Sequence, residues 1–420
     1  MGHGAASEPF DTHAVKGALS LMGRIAQTEG LTDVQADILS AVRTFVDKEI
    51  LPYATDLEHK DEFPEQIVEA MKEMGLFGIT IPEEYGGLGE SLLTYALVVE
   101  EIARGWMSVS GVINTHFIVA YLLLQHGSEE QKARLLPKMA TGEIRGAFSM
   151  SEPGCGSDVS AITTRAVADG DDFVINGQKM WLTNGARAGV VATLVRTDEG
   201  ADSVYRNMTT FLLEKEPGFG RHGGITIPGK LEKMGYKGVE TTEMVLDGHR
   251  VPASAILGGE AGRGKGFYQM MDGVEVGRVN VAARACGIMI RAFELAIAYA
   301  QQRRTFGHQI ADHQAIAFKL AEMATKVEAG HLMMVSAARK KDAGERNDVE
   351  AGMAKFLASE YCYEVTTEAF RIHGGYGYSK EYEIERLFRE APFMLIGEGT
   401  SEVQKRIISR ALLKEYKAVQ

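Results

Sequence analysis

The fold class predicted is α+β and multidomain: helices first, a β domain in the middle, and helices again to the end. Three observations predict it. Up to about residue 141, apolar residues recur at spacings of three and four; from about residue 146, short β-rich runs alternate with Gly, Pro and Asp; after Gly264 the helical spacing returns. At 420 residues the chain is long for one core, which favours two or three domains.

Residues 1–30 read as a leader, mobile by expectation, and the first helical domain is placed at 31–145. It opens with "TDVQADILSAVRTFVDKEI", where Thr32 and Asp33 give a cap signal. "FPEQIVEAMKEMGLFG" follows, with Pro64 near its start and Gly75 near its end. The long apolar stretch from Ser91 to Gly127 is expected to be buried on most sides. The β domain is placed at 146–262. "DDFVINGQKMWLTNGA" centres on Asn176-Gly177, a strong hairpin signal. The further short strands suggest an antiparallel barrel or sandwich rather than βαβ units. Residues 263–420 are read as the second helical domain, with no internal repeat.

Composition narrows the function. A net charge of −12 speaks against a nucleic-acid backbone or an anionic membrane as the main partner. Cys155, Cys286 and Cys362 form no CxxC pair and read as free thiols of a reducing compartment. No apolar run is read as reaching the roughly 18 residues of a membrane span. The leader lacks the charge and apolar pattern of a targeting segment, so the expectation is cytoplasmic.

Several familiar sites are excluded. No serine lies in a GxSxG elbow, no histidines form HExxH, and no metal site is expected. "GEAGRGKG" approaches a phosphate loop, but Gly266 stands where Ser or Thr would bind magnesium, so a mobile interdomain loop is the better reading. "GGYGY" follows a helix, which removes a dinucleotide reading. "SMSEPGCGSD" concentrates hydroxyls, glycines and acids, suiting a polar heterocycle, a phosphate or an ordinary turn. "QKMWLTNG" sets Trp181 beside Thr183, suiting either a core position or a flat ring with a polar edge. "QQRRTFG" ends a long helix with two arginines, as a structural cap or a cation site. In "LIGEGTSEVQ", Glu398 lies between two glycines, which helix propensity does not explain.

Taken together these segments, with "HQAIAFKLAEM" and "HGGYGYSKEYEIERLFRE", resemble the acyl-CoA dehydrogenases in order and spacing over about residues 31 to 420. Ser149, Cys155 and Arg371 depart slightly from the family pattern, the last standing where glutamine is usual. The resemblance implies an N-terminal helical domain, a middle antiparallel β-barrel and a C-terminal four-helix bundle. It implies a homotetramer, a dimer of dimers, with one FAD per subunit touching two subunits. Phe148, Met150, Ser151, Ser157, Trp181 and Thr183 would hold the isoalloxazine and nearby phosphate. Arg303, Thr305, Phe306, Gln314, Arg371 and Gly375 would bind the pyrophosphate and adenosine of the neighbouring subunit's FAD. Thr400 and Glu402 would close the site, with glutamate at 402 in place of the frequent glutamine. An electron-transfer flavoprotein is the implied acceptor.

On the same resemblance Glu398 is the catalytic base, taking the α-proton of an acyl-CoA thioester while the β-hydride passes to flavin N5, giving the trans-2-enoyl-CoA. An apolar pocket would raise its pKa and strengthen it as a base. Some relatives carry the base on the helix "MDGVEVGRVNVAARACG", at the position where this chain has Gly277 followed by Arg278; Glu275 is close in sequence, but two residues along a helix turn it to a different face. Ser157, Gly277, Arg278, Gly397 and Gly399 are assigned to the substrate site, with Gly277 and Gly397 leaving room for a branched acyl group. Ser110 and Asn114 fall at the walls and floor of the acyl pocket and favour a short, polar-ended chain, a dicarboxylic thioester for instance. The alternatives are a flavin-dependent oxidase on this fold, or a non-enzymatic flavoprotein.

Overall fold

The computed structural model describes residues 25–197 and 202–416. Most of the leader lies outside the described residues. Its last part, from Ile25, lies against the rest of the protein: Ala26 is buried and Thr28 Oγ1 is 2.9 Å from His331 Nε2.

Helix α1 (Asp33–Phe45) begins where Thr32 and Gln35 cap each other reciprocally, a capping box. A π-turn (Val46–Ile50) leads into α2 (Leu51–Lys60). Helix α3 (Glu65–Glu73) follows Pro64 and stops before Gly75, whose φ of +72° a side chain would resist. Helix α4 (Leu92–His126) is the axis of the molecule and packs lengthwise on α6 (Gly266–Gln302). By length and mean hydropathy α4 could cross a membrane, contrary to the expectation from the sequence. However, 89% of its most apolar window is buried inside the protein, so its apolar surface is already covered. Helix α5 (Glu129–Ala140) completes the first helical domain.

The middle domain is one curled eight-stranded sheet ordered β1-β4-β2-β3-β8-β7-β6, with β5 paired to β4. The strands are β1 (Gly146–Ser149), β2 (Arg165–Asp169), β3 (Asp172–Thr183), β4 (Val190–Arg196), β5 (Met208–Glu214), β6 (Gly220–His222), β7 (Ile225–Ile227) and β8 (Thr241–Pro252). Pairing is antiparallel except for β1–β4 and a single β2–β4 contact, which are parallel. The hairpin predicted at Asn176-Gly177 is not there. Strand β3 runs straight through it, and the turn lies at Gly170, between β2 and β3. Instead the ladder with β8 shifts register between Ile175 and Gly177, a bulge. Thr164 lies so close to Gly177 that a Cβ there would sit 2.6 Å from the Thr164 Cα, so the glycine serves close approach rather than a reversal.

The second helical domain contains α6, α7 (Gln314–Asp342) and α8 (Asp348–His373), with a two-stranded hairpin, β9 (Arg304–Thr305) and β10 (His308–Gln309), between α6 and α7. Two shorter helices, α9 (Ile384–Ile396) and α10 (Ser401–Glu415), both pack on α8. The break between them is the "GEGT" segment. Arg389 on α9 holds Glu58 of α2 with both Nη atoms, at 2.6 and 2.8 Å, locking α9 to the first domain.

Candidate active site

Glu398 is the residue the fold shapes most deliberately. Its φ is +51°, a left-handed conformation that costs a non-glycine residue free energy, and Gly399 follows at +90°. The turn is held from inside. Buried Lys355 of α8 donates to the Gly399 carbonyl at 2.8 Å, and Gln404 Nε2 donates to the carbonyls of Gly399 at 3.1 Å and Glu398 at 3.3 Å. Burial lowers the Lys355 pKa to about 8, while the nearby Glu398 opposes that shift.

The Glu398 side chain lies between α4 and α6. Asn114 Nδ2 donates to Oε1 at 2.5 Å, and Oε2 is buried without a partner among the described residues. Burial raises the carboxyl pKa above the ordinary glutamate value, against the Asn114 hydrogen bond and the charges of Arg284, Lys355 and Arg278. Gly277 faces Oε2. A Cβ at 277 would overlap that oxygen and lie 3.0 Å from Cδ. A buried carboxylate with a raised pKa and a free oxygen can accept a proton from a bound molecule.

The other predicted residues fall into two groups. Phe148, Met150 and Ser151 lie beside Trp181 and Thr183: Met180 N donates to the Ser151 carbonyl at 3.0 Å and Lys179 Nζ to that of Met150 at 3.1 Å. Trp181 has φ +68° and its residue is 58% exposed, so its ring is presented rather than used as core. Ser157 is exposed on the same loop. Arg303, Thr305 and Gly375 line a separate cavity of about 560 Å³ with Tyr299 and Tyr376, and Phe306, 92% exposed, tips the β9–β10 hairpin. Gln314 opens α7, and Arg371 is exposed and paired with Glu368 at 2.7 Å. Thr400 caps α10, accepting from Val403 N at 3.3 Å, and the Glu402 side chain is exposed 3.9 Å from Lys405. Arg278, next to Gly277, is buried with Nε unpartnered. A Cβ at Gly397 would lie 2.8 Å from the ring of Phe393, so that ring occupies the space beside it. Ser110 donates to its own helix at the Met107 carbonyl, 2.6 Å away, and Asn114 is turned to Glu398.

Sequence reasoning missed Lys355, Arg284, Tyr236, Asn280 and Tyr95. Asn280 Nδ2 donates to the Tyr95 hydroxyl at 2.7 Å, and Tyr95 feels the charge of Glu398. Single charges inside apolar helical runs, Arg284 in "VNVAARACG" and Lys355 in "AGMAKFLAS", were the legible signal.

The loop carrying Met150 and Ser151 is anchored by a buried ion pair, Lys179 Nζ to Glu152 Oε1 at 2.8 Å, while Glu152 also accepts from Thr163 and Thr164 N–H groups. Lys179→Met should cost about 3–5 kcal/mol, because Glu152 keeps its charge without its partner. The Glu152 pKa is lowered to about 2 from 4.5 despite burial, chiefly by Lys179. Its contribution is therefore complete above pH 4.5 and fades as pH falls towards 2. Thermal unfolding of both proteins at neutral and acid pH checks this: the gap in Tm should narrow on acidification.

The chain folds as helical, β and helical parts around a buried carboxyl on a strained turn, and comparison with known proteins assigns its family. Three family descriptions match in order: "Acyl-CoA dehydrogenase, N-terminal domain" over residues 32–143, "middle domain" over 147–249 and "C-terminal domain" over 264–413. The chain belongs to the acyl-CoA dehydrogenase family, oxidoreductases acting on acyl-CoA. It is 40% identical over 390 residues to (2S)-methylsuccinyl-CoA dehydrogenase of Cereibacter sphaeroides, covering 91% of this chain and 70% of that one. It is 40% identical over 385 residues to an acyl-CoA dehydrogenase of Bacillus subtilis (91% and 99%). Against the caffeyl-CoA reductase-Etf complex subunit CarC of Acetobacterium woodii the figure is 38% over 384 residues (90% and 98%). Among solved structures, butyryl-CoA dehydrogenase from Megasphaera elsdenii superposes with TM-score 0.87 at 35% identity, covering 92% and 100% of the two chains. A glutaryl-CoA dehydrogenase in complex with glutaryl-CoA gives 0.87 at 35% (94% and 98%). A glutaryl-CoA dehydrogenase from Mycobacterium smegmatis in complex with FADH2 gives 0.82 at 28% (93% and 97%).

Proposed function

We propose that the protein removes the α-proton and β-hydride of an acyl-CoA thioester, with Glu398 as base and FAD as hydride acceptor, to give the trans-2-enoyl-CoA. The observation that carries this is the buried Glu398 carboxyl, its pKa raised, its Oε2 free and its turn held by Lys355 and Gln404. The residues present fit FAD. A Cβ at Gly154 or Gly156 would meet nothing, so the loop backbone is open to a large group, and Trp181 offers an exposed ring face beside Thr183. Bound FAD supplies the two-electron acceptor at its N5 position. Trp181 and Thr183 would hold the flavin. Arg303, Thr305 and Gly375, in their own outward cavity, would bind the dinucleotide half of a neighbouring subunit's FAD, and the exposed Phe306 arm favours a homotetramer.

The chain's own residues do the rest. Asn114 orients the carboxylate through Oε1 and leaves Oε2 for the α-proton. Gly277 keeps the approach to Oε2 clear, and burial keeps water from the base. A short, branched or polar-ended acyl group is the substrate class we favour. Methylsuccinyl-CoA and glutaryl-CoA, named for two of the relatives, are short dicarboxylic thioesters. The Etf complex named for a third supports an electron-transfer flavoprotein as acceptor.

Anaerobic titration of the FAD-loaded protein with straight, branched and dicarboxylic acyl-CoAs tests this by bleaching of the flavin. Reduction by no acyl-CoA would overturn the reaction; a clear preference for straight chains of about eight carbons or more would overturn the substrate class. The pH profile supplies a further prediction. The ionised carboxyl is the active form, so reduction should slow as pH falls, with a midpoint above the ordinary glutamate value of 4.5. Stopped-flow reduction across pH checks it, and Glu398→Gln should abolish that limb.

A further inference from the structure

Arg284 is an unusual side chain for the core: a guanidinium on α6, 1% exposed. One Nη donates to the thioether of Met107 at 2.7 Å, a weak acceptor, and Nε is buried without a partner. Its charge lies over two aromatic faces, Tyr236 at 4.8 Å and Phe393 at 5.2 Å. No carboxylate pairs with it among the described residues. Removing an arginine from water without an anionic partner is costly, so such a group is kept for an anion that arrives later or for a nearby charge.

Its neighbours show where it faces. The Phe393 ring fills the space beside Gly397, the residue before the base, and Arg284 acts on the Glu398 charge. On the other side Tyr236 packs tilted against Phe393, ring centroids 4.8 Å apart, and places its hydroxyl 3.4 Å from Thr183 Oγ1, a proposed flavin contact. Arg284 thus touches Phe393, which packs beside Gly397, and Tyr236, which reaches Thr183. It also follows Gly277 by seven residues, two helical turns or roughly 10.5 Å of axis, on the same face. A helical side chain leans towards the N-terminus, which brings the guanidinium back towards Gly277 and shortens the gap.

Resting on the proposed dehydrogenation, we propose that Arg284 is the binding site for a terminal carboxylate of the acyl group, making the substrate a short dicarboxylic monothioester. The two turns between Gly277 and Arg284, shortened by the lean of the arginine, favour a short diacyl chain over a long alkyl one. A charge-assisted contact made there by the diacid and not by its neutral analogue would give large discrimination, because the neutral chain leaves the guanidinium unpaired.

The test uses matched pairs on the FAD-loaded enzyme: glutaryl-CoA against pentanoyl-CoA, and methylsuccinyl-CoA against 2-methylbutanoyl-CoA. The wild type should favour the diacid by about 100-fold or more in kcat/KM, and Arg284→Gln should erase that preference, with the larger loss falling on the diacid of each pair. Arg284→Lys should restore part of it. Arg284→Met should keep or raise Tm, as expected when an unpaired buried charge is removed, whereas a purely structural arginine would lower it. Oxidation of neutral chains with no diacid preference overturns the Arg284 site alone. So does a parallel loss on both members of each pair, which would make Arg284 a positioning group for Glu398. If the wild type oxidises neither member, the dehydrogenation reading fails. Calorimetric Kd values for the same four thioesters then decide the site, equal affinity for diacid and neutral chain overturning it.

Discussion

Glu398→Gln should retain FAD and bind acyl-CoA, yet reduce its flavin roughly 10²- to 10⁴-fold more slowly, the range that a positioned general base contributes. The amide is isosteric, and its Oε1 can still accept from Asn114. The turn is held by Lys355 and Gln404 through backbone carbonyls, which the substitution leaves in place. Stability should move the other way. The folded-state pKa of Glu398 is raised, so the charged side chain costs stability as pH rises above 4.5 towards that value. Gln removes this cost, and the variant's Tm at neutral pH should equal or exceed the wild type's. Single-turnover reduction and thermal unfolding on one preparation measure both quantities. Near-normal reduction would dismiss Glu398 as the base, and a marked fall in Tm would mean that the loss of rate reflects damage to the fold.

Much of the architecture was legible because it rests on local chemistry. Thr32 with Gln35, Pro64 and Gly75 mark helix ends through groups within a few residues of one another. The Asn176-Gly177 misreading shows the limit. That pair favours a two-residue turn only when nothing else claims the backbone. Here Thr164 packs against Gly177 and Asn176 Oδ1 accepts from Gly248 N at 2.8 Å on β8, so two distant segments keep the strand extended. The position of Glu398 between two glycines was legible for the same local reason. Arg284 and Lys355 showed only as single charges inside apolar helical runs, and neither their roles nor Tyr236 could be read, because their significance comes from what is absent around a guanidinium, or from carbonyls about 40 residues away. Spacing within one helix carries neither. Ser110 shows another limit of spacing: its hydroxyl donates to the Met107 carbonyl one turn back, a local bond that helix position alone does not reveal.

Gly277→Ala should separate stability from catalysis. Glycine inside a helix costs up to about 1 kcal/mol relative to alanine, so helix propensity alone favours the substitution. Position 277 lies well inside α6, where no turn or positive φ calls for glycine. What calls for it is Glu398. An alanine Cβ would overlap Oε2, lie 3.0 Å from Cδ and lie 3.1 Å from Ile118 Cδ1. The first of these neighbours is the tip of a side chain and can move, so the fold survives while the carboxylate is pushed off the position Asn114 gives it. A displacement of about 1 Å at a reacting group can cost about 10²-fold in rate. The expected variant therefore unfolds within about 1 kcal/mol of the wild type, or slightly later, and reduces flavin about 10²-fold more slowly. The pH profile identifies the cause. A displaced base still titrates, so the limb seen in the wild type should persist in Gly277→Ala at lower amplitude, while Glu398→Gln lacks it. Wild-type rates in Gly277→Ala would mean that Oε2 does not need the space, and that the carboxylate works from a position other than the one it occupies between α4 and α6.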